Sequence, residues 1–160
     1  MNIPVVQARG CTNFRLRQLS RLVTRFYDGE FARVELKGTQ FSALACIAQA
    51  QPVRPGDLSR MMGMDASTLT RNLRVLIDHG WVELGPGPDA RSRMISLTDA
   101  GQRKLAEARV CWKRAQRGLN TLLGAEEIAA LHALLDHGLA ALTAHVGHDD
   151  GGEPVREADA

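Results

Sequence analysis

Three hydroxyls and two guanidinium groups fall within one short stretch, at Ser67, Thr68, Thr70, Arg71 and Arg74. On a helix turning roughly 100° per residue, Ser67, Arg71 and Arg74 share a side, flanked by Thr68 and Thr70. Leu69, Leu73, Leu76 and Ile77 cluster on the other side. Hydroxyls and guanidinium groups are the chemistry that reaches base edges and phosphates in a DNA major groove. In a groove-docked helix the N-terminal half lies deepest, which favours Ser67, Thr68 and Arg71 over Arg74 for base contact. A second charged group, the bases Arg91 and Arg93 with the acid Asp89, follows the loop Gly85-Pro86-Gly87-Pro88. An arginine on such a hairpin suits a narrow minor groove, where the negative potential is strongest, and Asp89 could hold its geometry. A lone helix with this polar face reads as solvated surface, so the neighbouring elements decide.

Those neighbours are ordered RPGDLSRMMGMDASTLTRNLRVLIDHGW, then GPGPDARSRMISLT. Pro55 suits a first helical turn, where its missing N–H costs nothing. Leu58, Met61 and Met62 give that short helix a buried side, and Gly63 permits a tight turn. Asp65 is placed to cap the next helix, and Gly80 to end it in the left-handed C′ position. Strands are expected at Trp81–Leu84 and Arg93–Leu97, with Gly85 to Pro88 as the tip. Helix, turn, helix and basic hairpin in that order make a winged helix-turn-helix.

Upstream, Leu16, Leu19, Val23 and Phe26 step by three and four, predicting a helix from about Thr12 to Ala32. A second helix, N-capped by Thr39, should bury Phe41, Leu44, Ala45 and Ala48. Downstream, Leu105, Ala108, Trp112, Ala115, Leu119 and Leu122 form a coiled-coil-like seam on a helix of about 25 residues, ended by Gly124. Ile128, Leu131, Leu135, Leu139 and Leu142 form a further stripe. A small winged domain cannot bury both, so a second subunit is expected, and a twofold dimer suits a palindromic site. The fold class is mainly α with a small β wing. The expected organisation is an arm at 1–11, a helical dimerisation region at 12–36 and 99–146, a winged domain at 37–98 and a disordered acidic tail at 147–160.

Charge agrees with a polyanion partner once the tail is set aside. The 160-residue chain carries +2, but Asp149 to Ala160 hold five acids and one base, leaving 19 basic and 13 acidic residues, a net of +6. Aromatics are only 4%, so base stacking is not the expected binding mode. There is no basic-then-apolar start of a signal peptide and no transmembrane-length apolar run, and the three cysteines have no metal spacing. A cytoplasmic protein with reduced thiols and no cofactor is expected.

The chain resembles the MarR family of transcriptional regulators over about Cys11 to Val146. The resemblance rests on LKGTQFSALACIAQ, DLSRMMGMDASTLTRNLRVLIDHGWVEL and DARSRMISLTDAG, with its Asp-x-Arg and Leu-Thr-x-x-Gly wing signature. It implies a triangular homodimer that represses, or less often activates, nearby genes until a small aromatic acid or oxidation releases it. It places Ser67, Thr68, Thr70, Arg71 and Arg74 on the recognition helix, and Asp89 and Arg91 as the wing pair. The wing is shorter than in many members, so either Arg91 or Arg93 would enter the minor groove.

The effector is sought outside the motif. Family pockets lie between dimer helices and the DNA-binding domain, where Arg15, Arg17 or Arg21 could grip a carboxylate and Phe14 and Trp112 could flank a ring. Cys11, at a helix start near Arg15, is the competing redox sensor. Cys46 and Cys111 fall on apolar faces, and the histidines lack a companion ligand cluster. Two readings from other classes stand beside these. A thiol peroxidase would need a βαβ framework and a resolving thiol, and a protein-binding winged-helix adaptor would lack salt-dependent DNA affinity.

Overall fold

The computed structural model describes residues 10–88 and 92–149, with side chains through His145. Asp89 and Arg91, residues 1–9 of the N-terminal arm and residues 150–160 lie outside the described residues. The elements run α1 (Thr12–Phe31), α2 (Gly38–Ala50), α3 (Pro55–Met62), α4 (Ala66–Asp78), β1 (Val82–Pro86), β2 (Arg93–Leu97), α5 (Asp99–Leu123) and α6 (Ala125–Asp149). This is the mainly helical architecture with an antiparallel two-stranded wing that the pattern of the sequence implies. The chain divides into two compact units, 1–116 and 117–160, with the boundary inside α5.

The first unit is built on one core. Leu44 and Ile47 of α2, Leu58 of α3, Leu69, Leu73 and Leu76 of α4, and Val82, Ile95 and Leu97 of the wing are all buried in it. Leu105, Ala108 and Cys111 close it from α5. The first half of the α5 seam is therefore buried within the chain, and this half needs no second subunit. Trp112, by contrast, keeps 39% of its surface exposed.

Local chemistry explains the boundaries. Asp65 caps α4 as expected, accepting the Thr68 N–H at 2.8 Å. Gly63 and Gly80 both take positive φ, +59° and +69°, the left-handed region open to glycine. Thr39 does not cap α2. Lys37 is the cap residue, because Gln40 Oε1 accepts its N–H at 2.8 Å while Asp28 Oδ1 accepts the Gly38 N–H at 2.7 Å. Those two acceptors start the helix one residue before Thr39. β1 also runs further than expected. Gly85 pairs with Met94 and Pro86 with Arg93, since the outer edge of a two-stranded wing tolerates a proline.

Thr98 fastens the wing to α5. Its N–H donates to Trp81 O at 3.1 Å and its hydroxyl donates to Gly80 O at 2.6 Å. The same hydroxyl oxygen accepts the Gly101 N–H at 3.0 Å, capping α5. Gly101 is buried, and a Cβ there would lie 1.9 Å from Trp81 O. The Leu-Thr-x-x-Gly run is thus a clasp: threonine ties the turn after α4, and glycine lets α5 press against it.

Several expected burials differ. Met61 is exposed, because α3 is only two turns long and turns Leu58 and Met62 inward. Leu16 is exposed, while α1 contributes Phe31 to the core with Tyr27 packed against it. The N-terminal part of α1, where the apolar spacing begins, carries no buried residue. Leu44 of α2 is buried as expected, but Ala43 and Ile47 share the deepest places with it, while Phe41, Ala45 and Ala48 are half-buried.

In the second unit, Gly124 at φ +93° ends α5 and α6 begins at once, its first turn carrying Glu126 and Glu127 beside the positive end of the helix dipole. Ile128 is buried, whereas Leu122, Leu134, Leu139 and Leu142 are each about two-thirds exposed. Helix α6 continues to Asp149, three residues into the segment expected to be disordered.

Candidate nucleic-acid interface

The face of α4 opposite its three buried leucines carries Ser67, Thr68, Thr70, Arg71 and Arg74, all exposed. The hydrophobic stripe fixes this orientation: with Leu69, Leu73 and Leu76 in the core, the intervening residues must point outward. Among the described residues neither Arg71 nor Arg74 pairs with a carboxylate. Arg93 is exposed at the loop end of the wing ladder, opposite Pro86. The remaining wing residues of the expected site, Asp89 and Arg91, lie outside the described residues.

Asp65 organises the start of α4 more extensively than a simple cap. Its Oδ1 accepts the Ser67 hydroxyl at 2.6 Å as well as the Thr68 N–H, and its Oδ2 accepts the Thr68 hydroxyl at 2.7 Å. These hydrogen bonds, from Ser67 first and then Thr68, hold the Asp65 carboxyl well below the usual carboxylate range. Thr70 donates to the Ala66 carbonyl at 2.7 Å, one turn back. The hydroxyls singled out by sequence are therefore already engaged locally, and Asp65 is the residue that engages two of them. Its place two before Ser67 and three before Thr68 is the signal that the cap reading did not use.

The wing is braced behind this face. Val53 forms a bridge to Ile95, exchanging N–H···O bonds of 3.1 and 2.8 Å, so β2 has a partner on both edges. Gln51 Oε1 accepts the Leu97 N–H at 2.8 Å. The Trp81 ring stacks on His79 at 4.3 Å between centroids, and Lys104 Nζ sits 5.3 Å from its centre. Lys104 also donates to Val34 O at 3.1 Å.

A cavity of about 330 Å3 lies in the first unit, lined by Val23, Tyr27, Phe31, Phe41, Met64 and Trp112 with the hydroxyls of Thr24, Thr39 and Ser42. Four of the chain's seven aromatic residues line it, a concentration that spacing along the sequence does not show. Phe31 stacks on Phe41 at 4.8 Å, and Phe41 lies nearly parallel to Trp112 at 6.5 Å. Tyr27 donates its hydroxyl proton to Gln116 Oε1 at 2.6 Å, and burial pushes its pKa up.

Of the expected effector residues, only Trp112 lines this cavity. Arg17 and Arg21 share a different, shallow groove on α1 with Leu16 and Ser20. Phe14 and Arg15 lie on the exposed first turns of α1, and Cys11 is its exposed N-cap residue. Within this chain they are not brought together with Trp112, because α1 enters the core only at its C-terminal end. Cys46 is half-buried and Cys111 buried. No helix among the described residues is long and apolar enough to cross a membrane.

Known proteins share this arrangement. The sequence profile of the MarR family matches residues 36–90. The multiple antibiotic resistance protein MarR of Salmonella typhimurium is 31% identical, over 69% of this chain and 78% of its own. Among solved structures, a MarR variant from E. coli complexed with operator DNA superposes with a TM-score of 0.74 at 26% identity, covering 79% of this chain and 92% of that one. The M. tuberculosis transcriptional regulator MosR in complex with DNA gives 0.71 at 30% identity, covering 82% and 98%. The agreement extends from the helix-turn-helix through the wing to the flanking helices, and the chain belongs to the MarR family of DNA-binding transcriptional regulators.

Proposed function

We propose that the protein is a homodimeric repressor that binds palindromic double-stranded DNA through α4 and the wing, and that a small uncharged aromatic compound releases it. The observation that carries the reading is the outward face of α4, where Ser67, Thr68, Thr70, Arg71 and Arg74 are exposed on a helix locked by its leucines. Arg91 or Arg93 supplies the minor-groove contact, with Asp89 beside it. The described part of the wing supports Arg93 by its exposure. The exposed leucines of α6 supply the surface for a second copy. Residues 37–98 act as the DNA-binding domain, and dimerisation rests on the flanking helical segments.

The aromatic cavity supports the effector half. Among the described residues its lining is largely apolar, with the hydroxyls of Thr24, Tyr27, Thr39 and Ser42 and no cation, so a buried carboxylate would find no charged partner there. A carboxylate adjoins it: Asp28 accepts the N–H of Gly38, a lining residue, at 2.7 Å. A neutral phenol or bicyclic heteroaromatic fits this chemistry better than an aromatic acid, which narrows the expectation drawn from Arg15, Arg17 and Arg21. Met64 links the cavity to α4. It lines the wall, precedes the Asp65 cap, and its Sδ accepts from Asn72 Nδ2 of α4 at 3.8 Å. A ligand that moves Met64 moves the start of α4.

The test is fluorescence anisotropy with a labelled palindromic duplex selected by the protein itself. The logarithm of affinity should fall linearly with the logarithm of salt concentration, since each neutralised phosphate releases a counterion. A neutral aromatic that raises the melting temperature should also weaken this binding. Salt-independent association would point to a protein partner instead and overturn the reading.

A further inference from the structure

We propose that Asp65 is a positioning residue for base selection: it converts the outward hydroxyls of Ser67 and Thr68 into obligate hydrogen-bond acceptors, so that they read the exocyclic amino groups of adenine or cytosine. The inference rests on the reading that α4 docks in the major groove.

A hydroxyl has one proton and two lone pairs, so in free rotation it donates to or accepts from whatever it meets. Here the choice is already made. Ser67 Oγ lies 2.6 Å from Asp65 Oδ1, and Thr68 Oγ1 lies 2.7 Å from Oδ2. An ionised carboxylate has no proton to give, so both hydroxyls must donate inward. Thr70 spends its proton in the same way on the Ala66 carbonyl. What the first turns of α4 show to solvent are lone pairs.

The major groove offers few partners for a lone pair. Phosphate oxygens, guanine N7 and O6, adenine N7 and thymine O4 are all acceptors. The donors are adenine N6 and cytosine N4. The start of a helix is ordinarily a phosphate site, because its free N–H groups and dipole favour an anion. In α4 the Thr68 N–H already binds Asp65, whose own negative charge opposes a phosphate. Arg71 and Arg74 are donor-only and exposed. The helix therefore divides its work: its first turn accepts from amino groups, and its second turn donates to guanine edges or phosphates.

The test is selection of bound duplexes from a randomised library by the full-length wild type, by Asp65→Asn and by Ser67→Ala. Asparagine is as good an N-cap as aspartate, but its amide brings donors and only one acceptor oxygen, so the two hydroxyls are no longer both held inward. The wild type should prefer adenine or cytosine in at least one position of each half-site, with guanine or thymine there binding about tenfold more weakly. Asp65→Asn should flatten that position to about twofold while leaving the positions read by arginine intact. Ser67→Ala, which keeps the Asp65 bond to the Thr68 N–H, should lose a preference at the same place. Each profile is a ratio among sequences, so a poorly folded fraction of a variant does not alter it. An Asp65→Asn profile identical to wild type overturns the proposal, even where Arg71→Ala and Arg74→Ala weaken binding and so uphold the docking of α4. If both arginine variants bind and select as wild type does, the docking itself fails and this proposal falls with it.

Discussion

Substituting Gly101 by alanine should destabilise the protein, although Gly101 sits inside a helix where alanine is ordinarily preferred. The added methyl would lie 1.9 Å from Trp81 O, 2.8 Å from Trp81 C and 3.2 Å from Trp81 Cα. All three are backbone atoms, and Trp81 is held in place by its N–H to Leu76 O and by the Thr98 N–H on its own oxygen. Relief needs a displacement of the α4–β1 turn or of α5 by more than an ångström. Overpacking of this kind costs about 1–3 kcal/mol, and loss of the Thr98–Trp81 bond adds about 1 kcal/mol. Helix propensity returns about 1 kcal/mol. The net is a loss of about 1–3 kcal/mol, or roughly 2–10 °C in melting temperature for a chain of this size. Gly29→Ala is the internal control. Gly29 is also helical and exposed, with nothing within 4 Å of a Cβ, so it should gain up to about 1 kcal/mol. Urea denaturation of the two variants beside wild type measures both. If Gly101→Ala is as stable as wild type, or if the two variants shift in the same direction, the clasp between Thr98, Gly101 and Trp81 is not holding the wing.

Arg71→Ala and Arg91→Ala should each weaken operator binding by about 1–3 kcal/mol while leaving the oligomeric state intact, as read by anisotropy and sedimentation. The destabilisation caused by Asp65→Ala should depend on pH. The folded-state pKa of Asp65 is depressed, so its contribution is fully present above the unfolded value of about 3.9 and lost as pH falls through the folded value. Melts of wild type and variant at neutral pH and down to the acid limit of folding should therefore converge at the acid end. Met64→Ala should keep the thermal shift given by a neutral aromatic ligand but blunt its effect on DNA affinity, because the side chain that joins the cavity to Asn72 is gone.

The winged motif was legible because each of its parts has a strong local cause. Gly63 and Gly80 stand where positive φ is required, Asp65 where a cap is required, and three leucines fix which side of α4 is buried. The alternative of a thiol peroxidase falls with membership of a family of transcription regulators. What was not legible depends on long-range packing. Val53 is a single bridging residue, too short for any period to reveal. The aromatic cavity joins Tyr27 and Phe31, one turn apart on α1, to Phe41 and Trp112, and the three helices bring them together only on packing. The hydroxyl network of Asp65 is hidden differently: an aspartate before a helix is fully explained as its cap, and spacing alone does not show that it also takes the Ser67 and Thr68 hydroxyls.

In the sequence the α5 seam and the α6 stripe both call for a second subunit, but in the structure their burial differs. Leu105, Ala108, Cys111 and Ala115 are buried within the chain, so of the seam Trp112 and the leucines further along still lack a full cover. On α6, Ile128, Leu135, Leu139 and Leu142 fall within one narrow helical sector, and burial declines along it from 5% exposure at Ile128 to 65% at Leu139 and Leu142. An apolar stripe that opens progressively to solvent is poorly explained as ordinary surface and well explained as half of a twofold contact. Removing Leu139 and Leu142 from such a contact removes four side chains from the dimer. At about 1.4 kcal/mol for each side chain left unburied, the double substitution to glutamate should weaken association by about four decades. Sedimentation equilibrium should then show a monomer at micromolar concentration, and affinity for a palindrome should fall to that for a single half-site. A double variant that remains dimeric would remove α6 from the interface and return the question of the second copy to the exposed turns of α1.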